Sequence, residues 1–187
     1  MTEQERIDAI ASHMSSILGL LGEDVTREGL RDTPQRAAKA LAFLTSGYEV
    51  DADSVIKKAL FAHEGSQMVV VKDIEFYSLC EHHVLPFFGK ISVGYVPDGK
   101  IVGLSKIARI VNVFARRLQV QERLSAEIAD RIKAATGAKG VIVLVNGEHM
   151  CMKMRGVEKQ HSTTTTVHYN GVFENADLRT EFYNAIR

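Results

Sequence analysis

The hydrophobic pattern changes its period near residue 67, and that change restricts the chain to one broad architecture. Before it, Ile7, Ile10, Met14, Ile17 and Leu21 recur every three or four residues, the stripe of an amphipathic helix. Thr2 and Glu5 fit a capping box at its start, and Gly22 fits its stop. Thr33-Pro34 predicts a second start, a cap followed by a first-turn proline, for a helix carrying Ala37, Leu41 and Leu44 and ending before Gly47. A shorter helix is expected after Asp53, through Val55, Ile56 and Leu60. Beyond residue 67, Met68 to Val71 is short and mostly β-branched, and Ile91, Val93 and Tyr95 alternate with Ser92 and Gly94, the period of a strand. Pro97-Asp98-Gly99 reads as the turn of a hairpin whose second arm is Ile101-Val102. Ser105 is expected to cap a helix through Ile107, Ile110, Val111, Phe114 and Leu118, and a further helix runs from Val120 to Thr136, closed by Gly137. Val141 to Val145, His149 to Met154 and Thr163 to His168 read as strands, and a last helix begins near Asn175. The fold class is α+β: N-terminal helices, then a mostly antiparallel sheet with inserted helices. With no linker or repeat, residues 1–187 read as one domain, 1–62 its helical part and 63–187 its sheet-plus-helices catalytic part.

Charge narrows the partners. Twenty-three Lys and Arg balance 23 Asp and Glu, so the basic field that a nucleic acid requires is absent. A small anionic substrate needs only a few local cations and stays open. No run of about 18 apolar residues predicts a membrane span. The polar start, Met1 to Arg6, lacks the basic and apolar regions of a signal peptide. The expectation is a cytoplasmic protein with no membrane partner. Its two cysteines, Cys80 and Cys151, then favour metal binding or catalysis over a disulfide. Gly94 to Ile101 nearly matches a phosphate-binding loop, but Ile101 replaces the hydroxyl residue and a turn between strands replaces the helix start.

Cys80-Glu81-His82-His83 carries the most chemistry. Cys and His three residues apart can grip one metal from a single turn. Alone, that spacing also describes a buried cysteine beside surface histidines. The second cysteine, in His149-Met150-Cys151-Met152, again lies two residues from a histidine. Read as a strand, this segment puts His149, Cys151, Lys153 and Arg155 on one side and Met150, Met152 and Met154 on a core-facing side. Two cysteines and one histidine make three ligands. That number leaves a position for water, whose pKa a catalytic zinc lowers to about 7. The inventory favours Cys80, His83 and Cys151 around catalytic zinc, with His82 and His149 as acid–base groups. A structural site with His82 or His149 as fourth ligand is the competing reading. Ser105, Lys106 and Arg109 open a helix whose dipole and free N–H groups suit phosphate. A carboxylate such as Glu122 can accept two hydrogen bonds from the N1–H and 2-amino edge of guanine, but by sequence alone Glu122 reads as a first-turn helix acid.

Taken together, Gly22 to Leu30, Thr33 to Arg36, Cys80 to Pro86, Gly103 to Arg109, Gln119 to Arg123 and His149 to Gly156 resemble the GTP cyclohydrolase I family across nearly the whole chain and in the family's order. Val25, where the family often has proline, and the stretch from Glu158 to His161 depart from it without touching a proposed ligand. The resemblance implies the tunnelling fold, a toroidal homodecamer with sites between subunits, and one zinc ion per subunit on Cys80, His83 and Cys151. It implies GTP as substrate and 7,8-dihydroneopterin triphosphate plus formate as products, feeding folate or biopterin synthesis. The short N-terminus suggests the bacterial, folate-type form. His149 would protonate the purine's imidazole ring, and His82 and Ser105 would assist ribose opening and rearrangement. Lys106, Arg109 and Arg155 would hold the triphosphate, Glu122 would anchor the base, and Gln121 would also bind substrate. Two other functions fit parts of the pattern. A nitrile reductase of the same fold would use a cysteine nucleophile and NADPH without needing this zinc set. A pterin- or nucleotide-binding scaffold would use zinc structurally and show no turnover.

Overall fold

The computed structural model describes every residue except Lys58. Two compact units divide the chain, Met1–Ser46 and Gly47–Arg187. In the first, helix α1 (Glu3–Leu20) opens with the capping box expected of Thr2 and Glu5, and α2 (Thr33–Leu44) packs against it. The buried faces are narrower than the stripe in the sequence. Ile7, Ala11, Ala38 and Ala42 are buried together, whereas Ile17 and Leu21 are exposed. Ile10 also packs against this cluster, so the contact uses the N-terminal half of the stripe and leaves its C-terminal end in solvent. Asp32, not Thr33, is the N-cap of α2; Thr33 is its first residue.

The second unit is a five-stranded sheet with two long helices on one face. Its strands are β2 (Val69–Cys80), β3 (Pro86–Val96), β5 (Leu118–Gln119), β6 (Gly140–His149) and β7 (Thr164–Gly171), in the order β5-β2-β3-β6-β7. All neighbours are antiparallel except β2 and the two-residue β5, which run parallel. Helices α4 (Leu104–Ala115) and α5 (Gln121–Thr136) supply Ile107, Ile110, Val111, Leu124, Ile128 and Ile132 to the main core, against Phe76, Phe87, Ile91 and Val93 of the sheet. Buried alternating residues on the strands meet helix stripes of period 3.6, which is how an α+β layer forms. Gly137 closes α5 in the left-handed conformation, φ 71°, as its sequence position implies. Short α3 (Ala52–Lys57) packs on α4 and α5. On the opposite face, α7 (Ala176–Ala185), capped by Asn175, buries Phe182 with Phe173 and Ile142.

Further local expectations change, among them Leu118, expected on the helix through Phe114 but lying in β5. Lys100 to Val102 does form a strand, β4, but it pairs with β1 (Leu60–Ala62) and not with β3. Leu60 accordingly belongs to a strand and not to α3. The Tyr95 hydroxyl accepts a hydrogen bond from the Val102 N–H at 3.2 Å, so a side chain bridges where a hairpin ladder was expected. Ser105 does not cap α4; Gly103 holds the N-cap position and Ser105 lies exposed in the first turn. Finally, the strand expected from His149 to Met154 ends at His149. Met150–Lys153 is a single helical turn, α6, and Met152 and Met154 are exposed. The alternation of two faces through that segment therefore does not exist.

Candidate functional site

Four chain segments meet at one end of the sheet. Strand β2 delivers Cys80, which is buried. The chain then reverses within residues 81–85: Val84 N–H donates to the Cys80 carbonyl at 2.8 Å, and Cys80 N–H to the Leu85 carbonyl at 2.8 Å. Val84 takes φ 54° to close this turn, a left-handed conformation that costs a β-branched residue of the order of 1–3 kcal/mol. The turn holds His82 and His83 out at the surface. Parallel β5 lies beside Cys80, and the Glu81 N–H donates to the Gln119 carbonyl. Glu81 also pairs with Arg123, whose guanidinium holds its carboxyl below the usual carboxylate range. Gln121 and Glu122 follow at once at the start of α5.

The fourth segment is the end of β6. Register pairs His149 with Phe87 of β3, and the imidazole lies flat on that ring, centroids 4.7 Å apart and planes 5° from parallel. Helical turn α6 then folds Cys151 back toward Cys80. The outcome is a cluster in which Cys80 Sγ, a His83 ring nitrogen and Cys151 Sγ all lie within 4.8 Å of one another. Cys80 Sγ and His83 Nδ1 are 3.7 Å apart. Ligand bonds of about 2.0–2.3 Å in a tetrahedron put neighbouring ligand atoms about 3.3–3.8 Å apart, so the cluster could close on a metal ion with little movement. A strand was not needed: one helical turn brings Cys151 to the same place.

Burial and charge tune these groups. Burial holds the His149 imidazole below its ordinary pKa, opposed by the nearby Glu122 carboxylate. Burial also raises the Cys151 thiol, and the neighbouring Cys80 raises it further, because two adjacent thiolates repel. Arg155 Nη1 stands 3.2 Å from His83 Nε2, setting a cation at the mouth of the cluster. A cavity of about 230 Å³ is lined by Cys80, His82, His83, Gln121, Glu122, His149 and Cys151, among others.

Ser105, Lys106 and Arg109 do not line this cavity. They occupy the first turns of α4, whose other end leads into β5 beside Cys80. At 1.5 Å per residue, Lys106 stands about 14 Å and Arg109 about 9 Å along α4 from its far end. Phe87, the platform under His149, and Gln119, beside Cys80, were not singled out by sequence reasoning. For Phe87 the signal is there, because the alternation of Ile91, Val93 and Tyr95 extends back through Gly89 to it.

Comparison with known proteins follows the same residues. The family model for GTP cyclohydrolase I matches residues 10–187. GTP cyclohydrolase 1 of Parabacteroides distasonis is 55% identical over 181 residues, covering 96% of this chain and 92% of that protein. GTP cyclohydrolase 1 of Porphyromonas gingivalis is 53% identical over 189 residues, covering 100% and 98%. GTP cyclohydrolase 1 2 of Pseudomonas aeruginosa is 56% identical over 180 residues, covering 96% and 99%.

Proposed function

Because this chain belongs to the GTP cyclohydrolase I family, we propose that it hydrolyses GTP and rearranges it to 7,8-dihydroneopterin triphosphate and formate with the help of zinc. The observation that carries the reading is the convergence of Cys80, His83 and Cys151 beside the cavity that also holds His149. Two thiolates and an imidazole favour zinc over harder cations. Cys80, His83 and Cys151 would hold the ion, which would supply Lewis acidity and the activation of water for the hydrolytic steps.

The protein's own groups take the remaining tasks. His149, held flat on Phe87, moves a proton at the purine's imidazole ring. Glu122, exposed at the start of α5, accepts the N1–H and 2-amino hydrogens of guanine. His82, together with Ser105, moves protons during ribose opening and rearrangement. Arg155 meets the triphosphate at the mouth of the cluster, and Lys106 and Arg109 meet it from α4. A cavity of about 230 Å³ lies below the ~300–1,000 Å³ usual for small-molecule sites, and the α4 cations do not line it. Both facts support a site completed by a second copy of the chain, in a toroidal decamer of the tunnelling fold. In this reading residues 1–62 and 63–187 serve one domain, in the cytoplasm, upstream of folate or biopterin synthesis. No helix among the described residues is long and apolar enough to cross a membrane.

The test is direct. Purified protein is incubated with GTP, with and without a chelator, and formate and fluorescent pterin are measured after oxidation. Both products should vanish on chelation and return with zinc. Formate without pterin would retain the ring-opening chemistry and remove the roles given to His82 and Ser105. Neither product from folded, metal-loaded protein would overturn the proposal.

A further inference from the structure

Gln121 was grouped with the substrate-binding residues on resemblance, yet its side chain is already engaged inside the protein. It is 1% exposed. Its amide nitrogen donates to the Val145 carbonyl of β6 at 3.1 Å and to the Thr164 carbonyl of β7 at 2.8 Å. A primary amide has two N–H donors and one oxygen acceptor. Two main-chain carbonyls accept and cannot donate, so they determine which end of the amide is nitrogen. Flipping the group would set its oxygen against both carbonyl oxygens. The nitrogen also approaches the Thr166 hydroxyl at 3.4 Å, and the oxygen therefore faces His149 Nε2, at 2.9 Å.

We propose that Gln121 is a positioning residue for His149, holding the ring in one rotation and as the Nε2–H tautomer. The inference deepens the cyclohydrolase reading and rests on it for the role of His149. An amide oxygen accepts from Nε2–H whether the imidazole is neutral or protonated. Two supports meet at right angles to one another in function: Phe87 fixes the plane of the ring, and Gln121 fixes its rotation and tautomer. Gly147 leaves the room this requires. A Cβ there would stand 2.3 Å from Gln121 Oε1 and 3.6 Å from His149 Nε2.

The experiment compares wild type, Gln121→Met and Gly147→Ala in the full-length protein. The first variant removes the acceptor at nearly constant length, and the second displaces the amide without altering it. Solid-state ¹⁵N NMR of ring-labelled histidine, with His149 assigned from its loss in His149→Ala, reads the tautomer without GTP. Wild type should show Nε2 protonated, and both variants should show a mixture. With GTP, kcat should fall about 100-fold, the scale of a displaced acid–base group, while KM and zinc content stay near wild type. A rise in KM with kcat retained would make Gln121 a substrate contact and overturn the proposal. So would a wild-type His149 protonated on Nδ1, or a tautomer unmoved in both variants. Should wild type not turn over GTP, the cyclohydrolase reading fails, and the tautomer still decides the role of Gln121. If Gln121→Met does not fold, Gly147→Ala and the wild-type spectrum carry the same decision.

Discussion

Phe87 is the residue through which stability and chemistry are most directly joined. Its ring is fully buried, meets Phe76 edge-on at 5.7 Å and 70°, and carries His149 on its face. Truncation to alanine removes a buried ring that the surrounding sheet and helices cannot fully replace, at a cost of about 3–5 kcal/mol. Leucine keeps much of the volume. It should cost about 1.5–2.5 kcal/mol, combining an imperfect swap with loss of the aromatic pair. With a urea m-value of about 2 kcal/mol/M, the midpoint should drop by roughly 2 M for Phe87→Ala and about 1 M for Phe87→Leu. Equilibrium unfolding by circular dichroism, at equal protein concentration, measures both. The leucine variant should still bind zinc but turn over GTP more slowly, because His149 has lost its flat support. An alanine variant whose midpoint lies within about 0.5 M of wild type would falsify the reasoning, since Phe87 would then not be close-packed.

Further outcomes follow from other parts of the second unit. Metal affinity should weaken as pH falls, because both thiols must release protons to bind and Cys151 is raised by burial and by Cys80. The expected slope, read by competition with a chromogenic chelator, approaches about tenfold per pH unit for each thiol proton released, and a flat profile would remove the cysteines as ligands. Gly89→Ala should destabilise by about 3 kcal/mol. Its Cβ would stand 2.0 Å from the Asn146 carbonyl oxygen and 3.1 Å from Gly147 Cα, all backbone of β6, so the β3–β6 pairing must open. Asp53→Ala, by contrast, removes a 2.7 Å ion pair to Arg131 in which both side chains are 38% exposed, and thermal melts should register less than about 1 kcal/mol.

The sequence by itself determined the class of fold and the chemistry of the cluster. Helix stripes at the start, alternation from residue 91, Gly137 at the end of α5 and Asn175 at the start of α7 are local signals. They are read correctly because capping and periodicity act over a few residues. The grouping of Cys80, His83 and Cys151, which could hold a metal ion, was legible for the same reason: only certain side chains bind metal, and the chain has two cysteines. Tertiary structure decided what depends on distant partners. Strand β4 left its neighbour β3 for β1 because pairing is settled by which edge is within reach, not by the turn between them. Cys151 arrived on a helical turn because β6 runs out of a neighbouring strand at His149, and alternation has no meaning beyond the ladder. The occupation of Gln121 depends on two carbonyls, Val145 and Thr164. Those lie 24 and 43 residues away, and only the folded sheet brings them to one amide.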